Sequence, residues 1–180
     1  MILPITQYGD PVLRKKCPKL KEVTEEMHAL VQDMLETMRD ADGIGLAGPQ
    51  IGQELRLAVV DVSHDPECVS YLKVNGEDCE LAEIMPFVFL NPDFELEGEK
   101  SVMEEGCLSI ADVRAKVRRP VALKGTFEML DGSTVHLETD GLLARVIQHE
   151  TDHLNGILFV DRLTTAAKVT VRSKLKRLIR

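Results

Sequence analysis

Long apolar runs and cysteine are both scarce in this chain of 180 residues. No run approaches the roughly 20 apolar residues that a membrane-spanning helix requires. The first ten residues, MILPITQYGD, lack the basic start, the apolar stretch and the small-residue cleavage site of a signal peptide. The four cysteines are too few and too irregularly spaced for a disulfide framework (Cys17, Cys68, Cys79 and Cys107). These absences predict a cytoplasmic protein in a reducing compartment, with no membrane partner.

Basic residues are scarce before residue 168. Six of the 22 lysines and arginines follow residue 167, and all 30 acidic residues precede it. The net charge of −8 therefore divides into −14 for the first 167 residues and +6 for the tail. An acidic body disfavours DNA binding, which needs a basic surface. The tail, about residues 164–180, is predicted to be a helix packed by one face, and its charges suit either solvent or an acidic partner.

Periodicity predicts the secondary structure of the rest. Residues 24–41 carry the apolar stripe of an amphipathic helix, with Thr24 as N-cap, and residues 55–62 and 87–92 have strand composition. Residues 113–130 and 133–139 predict a hairpin around Asp131-Gly132. Residues 140–156 predict a helix capped by Asp140, whereas the acidic residues 63–86 predict an irregular surface segment. No repeat or linker divides the chain, so a single α+β domain over residues 1–180 is expected, with antiparallel β-sheets around a central helix.

The stretch DGIGLAGPQIG, residues 42–52, has the G-x-G-x-x-G spacing of a dinucleotide-binding loop at Gly43, Gly45 and Gly48. Such a loop follows a strand and opens a helix. Here the predicted order is helix, glycines, strand, which disfavours that interpretation. Gly43 could instead end the helix in a left-handed conformation, or the glycines could leave backbone bare for the close approach of another chain.

The helix predicted at residues 140–156 contains H-E-x-x-H at His149, Glu150 and His153. Imidazoles four residues apart lie on one helix face, where both can reach a single metal ion. Leu142 and Val146 continue the same stripe, so the histidines are expected to point into an apolar interior. Glu150 lies beside them, where it could take a proton from water on the metal. The alternative is a chance match in which the histidines make hydrogen bonds in the core.

A catalytic metal needs a third protein ligand. Residues 154–180 contain no His or Glu, and their only acid is Asp161, so the ligand is expected upstream. The upstream candidates are the remaining histidines and the cysteines (His28, His64, His136, Cys17, Cys68, Cys79 and Cys107). Cys107 stands out within EEGCLSI, although a lone cysteine is often only a small buried hydrophobic residue. His64, Cys68 and Cys79 could form a second site, but no fourth ligand is evident.

Three stretches together resemble the peptide deformylases: GIGLAGPQ, EGCLSI and QHETDHLNG, in this order. The likeness extends from GDPVLR near the N-terminus to about Asp161. It implies hydrolysis of the N-formyl group from the initiator methionine of newly made polypeptides, with release of formate. It further implies one divalent metal ion, generally Fe(II) in the family, held by Cys107, His149 and His153 with a water. This donor set would also suit Zn(II), Ni(II) or Co(II).

The resemblance also assigns the surrounding residues. Glu150 would be the base, and the Gln50 side chain and the Leu108 backbone N–H would stabilise the developing oxyanion. Ile44 and Gly45 would line the cleft beside the substrate peptide. Glu105 is expected at the substrate site as well, paired with an arginine such as Arg119 or Arg114 to fix the Cys107 strand. In some bacterial members the C-terminal helix contacts the ribosome, which the basic tail would suit.

Two positions depart from the family pattern. Gly48 stands where alanine is common, and Ala111 stands where proline is common, so a looser or differently shaped cleft edge is expected. Two rival functions remain open. A peptidase that cleaves internal bonds is disfavoured by the missing downstream ligand. A structural-metal or binding protein is disfavoured by the presence of both Glu150 and Gln50.

Overall fold

The computed structural model describes residues 1–179 and contains, within them, four α-helices and seven strands. The helices are α1 (Glu25–Asp40), α2 (Leu81–Ile84), α3 (Gly141–Leu154) and α4 (Thr165–Leu178). The strands are β1 (Gly45–Ala47), β2 (Leu57–Val60), β3 (Leu72–Val74), β4 (Glu77–Asp78), β5 (Phe87–Cys107), β6 (Ile110–Glu128) and β7 (Thr134–Asp140). Helix α4 confirms the C-terminal helix, and the last predicted helical residue, Arg180, lies outside the described residues. No helix in this range combines the length and the apolar character needed to cross a bilayer.

All strand pairs are antiparallel, in the order β1-β2-β5-β6-β7-β3-β4. This arrangement confirms the α+β prediction. The long strands β5 and β6 pair from Leu90 opposite Glu128 to Cys107 opposite Ile110, with three shifts of register along the way. Such irregularities bend a strand and increase its twist. The predicted hairpin between β6 and β7 is also present, with Gly132 in a left-handed turn conformation (φ 81°).

Helix α3 is the buried element around which the sheet is arranged. Its apolar residues Leu143, Ile147 and Leu154 are fully buried and belong to the same core cluster as Phe89 and Phe127 of the sheet. The two phenylalanine rings meet edge to face, with centroids 5.4 Å apart. The helix that carries H-E-x-x-H is therefore fixed on several sides.

Helix α1 packs on a second cluster that includes β1 and β2. Met34 and Met38 are fully buried there beside Leu46 of β1. The predicted N-cap position of this helix is confirmed, whereas the predicted cap at its end is wrong. Thr24 occupies the N-cap position, but its side chain makes no capping hydrogen bond. The left-handed residue after the helix is Asp42 (φ 52°), not Gly43.

The acidic segment 63–86 is more ordered than the composition indicates. Strand β3 pairs with β7 and with β4, and a tight turn at Asn75-Gly76 joins β3 to β4 (φ 53° and 84°). An Asn-Gly pair is a strong hairpin signal. The acidic composition of residues 63–86 predicts an irregular segment instead, and that prediction is wrong for β3 and β4. Asp140 does not cap α3 with its side chain, because its carboxylate accepts the backbone N–H groups of Ser70 and Tyr71 instead. This contact ties the segment to the start of the central helix.

Candidate metal centre

A cleft of about 680 Å³ opens between the glycine-rich loop, the end of β5 and helix α3. Residues of all three sequence motifs line it (Ile44, Gly45, Gln50, Glu105, Cys107, Leu108, His149 and Glu150). The fold thus brings together positions that lie more than 100 residues apart in the chain. Helix α1 precedes the glycines and β2 follows them, which is the reverse of a dinucleotide-binding loop.

Cys107, His149 and His153 form the one group of metal-binding side chains within residues 1–179 that lie close enough to share an ion. Their ligand atoms are all within 4.8 Å of one another. Cys107 Sγ lies 3.3 Å from His153 Nε2, and the two imidazole centroids are 5.1 Å apart. The other candidate ligands join no such group in the described residues, so the second site at His64, Cys68 and Cys79 is not formed.

The chemistry of this group fits a metal ion. Burial, together with the positive charge of His149, lowers the pKa of His153 well below its usual value, so its ring is neutral, as a metal ligand must be. His153 Nδ1 is buried and has no hydrogen-bond partner in the described part of the chain. Two imidazoles and one thiol sulfur in a closed space are costly without a shared partner.

His149 is oriented by a carboxylate. Its Nδ1 lies 3.1 Å from Glu105 Oε2, which leaves Nε2 available on the other side of the ring. Burial acts to lower the pKa of His149, but the hydrogen bonds with Cys107 and Glu105 and the charge of Glu150 raise it to about 10. In the absence of a metal ion this imidazole therefore carries a proton at neutral pH.

Glu105 is itself held by two buried arginines. Arg119 donates two hydrogen bonds to it, from Nε at 2.7 Å and from Nη2 at 3.0 Å, and Arg145 Nη1 donates a third at 2.8 Å. The predicted pairing with Arg119 is confirmed, whereas Arg114 lies 3.7 Å from Glu104 instead. Burial acts to raise the pKa of Glu105, but His149 and Arg119 outweigh it and hold the pKa far below 4.5. Both carboxylate oxygens are engaged in hydrogen bonds with the arginines and His149, so this side chain is suited to holding His149 and not to contacting a substrate.

Two further residues of α3, Arg145 and Asp152, complete this ion network and were not predicted from the sequence. Asp152 accepts from Arg119 Nη1 at 2.8 Å and from Arg162 on the other side. Arg145 and Asp152 lie four residues before and three residues after His149 on α3. Charged residues at these spacings from an inward-facing histidine were the available signal of a buried ion pair.

Glu150 is fully enclosed beside the metal ligands. Its Oε2 has no hydrogen-bond partner within residues 1–179. Burial raises its pKa to about 7, against the opposing charges of His149 and Arg119. A carboxylate with a pKa near neutrality can both take up and release a proton, which is the property required of a general acid–base group.

The glycine-rich loop supplies the other wall. Gln50 is buried, and its Oε1 accepts the backbone N–H of Ala47 at 2.8 Å. This contact turns the side-chain amide group towards the centre, with Nε2 3.5 Å from Cys107 Sγ. Gly48 does not loosen the cleft edge as expected, because a Cβ atom there would lie 2.4 Å from the carbonyl oxygen of Leu55. The glycine allows a close backbone approach.

Leu108 and Ile44 lie at the two sides of the cleft. Leu108 is in the turn between β5 and β6, and its carbonyl oxygen accepts from Gln7 Nε2 at 3.2 Å. Its side chain packs so closely on Gly43 that a Cβ atom there would lie 2.7 Å from Leu108 Cδ1. The carbonyl of Ile44 accepts the N–H of Asp61 at 2.9 Å. These contacts fix the backbone on both sides of the opening.

Known proteins resemble this chain along almost its entire length. The family described as Polypeptide deformylase matches residues 2–169. A peptide deformylase of Chlorobium phaeobacteroides is 44% identical over 180 residues, which cover 100% of this chain and 90% of that protein. A peptide deformylase of Salinibacter ruber is 41% identical over 180 residues, with coverage of 99% and 89%. The crystal structure of a peptide deformylase from Synechococcus elongatus in complex with actinonin matches with a TM-score of 0.78 at 36% identity and covers 98% of this chain and 84% of that one.

Proposed function

Because this chain belongs to the peptide deformylase family, we propose that Cys107, His149 and His153 hold one divalent metal ion in the cleft. The chain removes the N-formyl group from the N-terminal formylmethionine of newly synthesised polypeptides and releases formate. One observation supports the assignment of the site above all others. Cys107, His149, Glu150 and Gln50 line a single cleft, and the ligand atom of the buried His153 lies within 4.8 Å of those of Cys107 and His149.

The metal, when bound, supplies a Lewis acid that polarises the formyl carbonyl and acidifies a water molecule. One thiolate and two imidazoles suit Fe(II), Zn(II), Ni(II) and Co(II), and we propose Fe(II) as the native ion. Glu105 keeps the His149 ring in one orientation by holding Nδ1, and Arg119 and Arg145 keep Glu105 ionised. Such a supporting layer raises the basicity of a metal ligand and fixes its direction.

Glu150 performs the proton transfers in this proposal. The reaction adds water to the formyl carbon, breaks the carbon–nitrogen bond and leaves formate and an amine. Glu150 takes one proton from the attacking water and returns it to the departing nitrogen. Its pKa of about 7 suits both steps, because neither proton transfer is strongly uphill near neutral pH.

Gln50 and Leu108 stabilise the negative charge that develops on the formyl oxygen. The hydrogen bond from Ala47 to Gln50 Oε1 fixes the amide, so the NH₂ group needs no reorganisation as the reaction proceeds. The backbone N–H of Leu108 is the second proposed donor. Its position is fixed by the packing of Leu108 on Gly43 and by the contact with Gln7.

The substrate peptide is proposed to lie beside Ile44 and Gly45. Both residues line the cleft, and Gly45 has no side chain to block an approaching backbone. An extended peptide added to an exposed strand gains main-chain hydrogen bonds without regard to its sequence. This property suits an enzyme whose substrates share only their first residue.

The C-terminal helix α4 is proposed to contact the ribosome. Lys168, Arg172, Lys176 and Arg177 are exposed on it, whereas Val171 anchors the helix by packing on the core. Exposed lysines and arginines on one element suit the phosphates of ribosomal RNA. Formylated chains emerge at the ribosome, so we expect the enzyme to act in the cytoplasm. Cosedimentation with ribosomes, lost when these four residues are changed to Gln, would support the contact.

The test of the deformylase assignment is formate release from a short N-formylmethionyl peptide, with the N-acetylated peptide as control. The protein is purified anaerobically, and Glu150→Gln is compared at equal metal content. We expect rapid formate release from the formyl peptide only, and its loss in the variant. A metal-loaded protein that releases no formate would overturn the assignment and favour a binding protein that has kept the fold.

A further inference from the structure

A second cavity, of about 500 Å³, lies on another side of helix α3. His149 and Glu150 face the metal centre, whereas Gln148, Thr151 and Asp152 line this second cavity. Its remaining walls come from β5, β6 and the segments around Arg56 and Arg162. Deformylation requires nothing from this space, so its composition calls for a separate explanation.

The second cavity is basic although the chain carries a net charge of −8. Its lining includes five cationic side chains and two acidic ones (Arg56, Lys100, Arg118, Arg119 and Arg162; Asp93 and Asp152). Asp152 neutralises part of the charge of Arg119 and Arg162. Arg56, Lys100 and Arg118 form no ion pair with any of residues 1–179. Three unpaired positive charges and the carboxylate of Asp93 therefore remain around one concave surface, which is basic on balance.

The donors on this surface are positioned by the fold. Arg56 Nη1 donates to the carbonyl oxygen of Leu154 at 3.2 Å and to Asn155 Oδ1 at 3.0 Å, which fixes the guanidinium against the end of α3. A guanidinium has five N–H donors, so others stay available. Thr151 is only 8% exposed, and its Oγ1 lacks a hydrogen-bond partner in the described part of the chain. A buried hydroxyl of this kind is costly unless a ligand or water satisfies it.

The cavity also has an apolar wall. Pro92, Phe94 and Leu96 line it, and one face of Phe94 stacks on Phe127 at a centroid distance of 5.9 Å. The space of about 500 Å³ is much larger than an inorganic phosphate ion and falls within the usual range for small-molecule sites. The ligand therefore needs an anionic part for the arginines and a less polar part for the aromatic wall.

We propose that this second cavity binds a small phosphate-bearing ligand of nucleotide size. Arginine forks hold phosphate oxygens in pairs, and a multiply charged phosphate group matches three uncompensated cations better than a single carboxylate does. Arg56, Lys100 and Arg118 hold the phosphate. Phe94 and its apolar neighbours contact the remainder of the ligand.

The test uses the full chain loaded with Ni(II), titrated calorimetrically with ADP and with pyrophosphate at constant ionic strength. Metal content is checked after each titration, because pyrophosphate can extract metal. The cavity variant is Lys100→Gln/Arg118→Gln, in which both residues are exposed and outside the ion pairs. The matched control is Lys16→Gln/Lys21→Gln, which removes two exposed positive charges that line neither cavity.

We expect saturable binding that is at least about tenfold weaker in the cavity variant and unchanged in the control. Formate release should stay unchanged in both variants. Tighter binding of ADP than of pyrophosphate would support a role for the Phe94 wall, and equal binding would support recognition through the phosphates alone. Absence of saturable binding, or equal weakening in the cavity and control variants, would overturn the proposal.

Discussion

Gly45 faces Glu150 so closely that a Cβ atom at position 45 would lie 2.3 Å from Glu150 Oε1 and 2.8 Å from its carboxyl carbon. The glycine thus shapes the cleft and also leaves room for the base. Any side chain at this position must displace the carboxylate on which the proposed proton transfers depend.

We therefore predict that Gly45→Ala lowers kcat/KM for formate release by about 10²-fold, because a displacement of roughly 1 Å at a reacting group costs that much. Metal content should stay at the wild-type level. Gly132→Ala is the control: its Cβ atom would meet nothing within 4 Å, and only the left-handed backbone conformation (φ 81°) is strained. Equal activity in the two variants would contradict the close contact.

The acid limb of the activity profile should report Glu150. Burial raises its pKa to about 7, and the base must be ionised, so activity is lost as the pH falls below the pKa. A bound cation favours the carboxylate, so the midpoint should lie at or below about 7. A plot of log(kcat/KM) against pH, measured between pH 5 and pH 9, should have a slope of about one on the acid side. A rate that rises towards pH 5 would exclude Glu150 as the base.

Gln50→Ala should reduce kcat by about 10²- to 10³-fold, the usual cost of one oxyanion donor. The loss should appear in kcat more than in KM, because the charge develops only as the reaction proceeds. Gln53→Ala serves as a control, since Gln53 is exposed and does not line the cleft. Unchanged turnover in Gln50→Ala would remove this residue from the mechanism.

Metal loading should release protons at neutral pH. The pKa of His149 is raised to about 10 in the metal-free protein, so its ring is protonated at pH 7.5, whereas a metal ligand must be neutral. We predict the release of at least about one proton per Zn(II) bound. Calorimetric titration in two buffers of different ionisation enthalpy measures this number. Binding without proton release would contradict the charged state of His149.

Glu105→Gln should destabilise the fold by about 3–5 kcal/mol, because it leaves the buried Arg145 without an ion-pair partner and Arg119 with Asp152 alone. The exposed Glu104 pairs with Arg114 at 3.7 Å, so Glu104→Gln is the matched control and should cost less than about 1 kcal/mol. Urea unfolding of both variants at pH 7 gives the comparison. Similar stabilities for the two variants would show that the buried network contributes little.

The same residue predicts a pH dependence of stability. The folded-state pKa of Glu105 is held below its ordinary value of 4.5, so its ionised form favours the folded state. This contribution is fully present above about pH 4.5 and is lost as the pH falls towards the lower folded-state pKa. The stability difference between wild type and Glu105→Gln should therefore shrink in acid. A difference that grows below pH 4.5 would have the wrong sign for this network.

Much of the site could be predicted because its residue types restrict the chemistry. Two histidines four residues apart on an amphipathic helix must share a face, and the absence of later ligands directs the search upstream. The resemblance to peptide deformylases then singles out Cys107 among the upstream candidates. Local patterns likewise predict the hairpin at Asp131-Gly132 and the three long helices α1, α3 and α4. The Asn75-Gly76 hairpin carried an equally local signal and was missed because the acidic composition of its surroundings suggested an irregular segment.

The sequence by itself determined the class of fold, the catalytic motifs and the family resemblance, because these depend on residue type and short-range spacing. Only the tertiary structure decided which charges are buried together. Arg119 pairs with Glu105 and Asp152 from positions 14 and 33 residues away, and no periodicity encodes such a choice. The basic second cavity is likewise built from distant segments. Pairing of buried charges depends on distance and desolvation in three dimensions, which the order of residues along the chain does not specify.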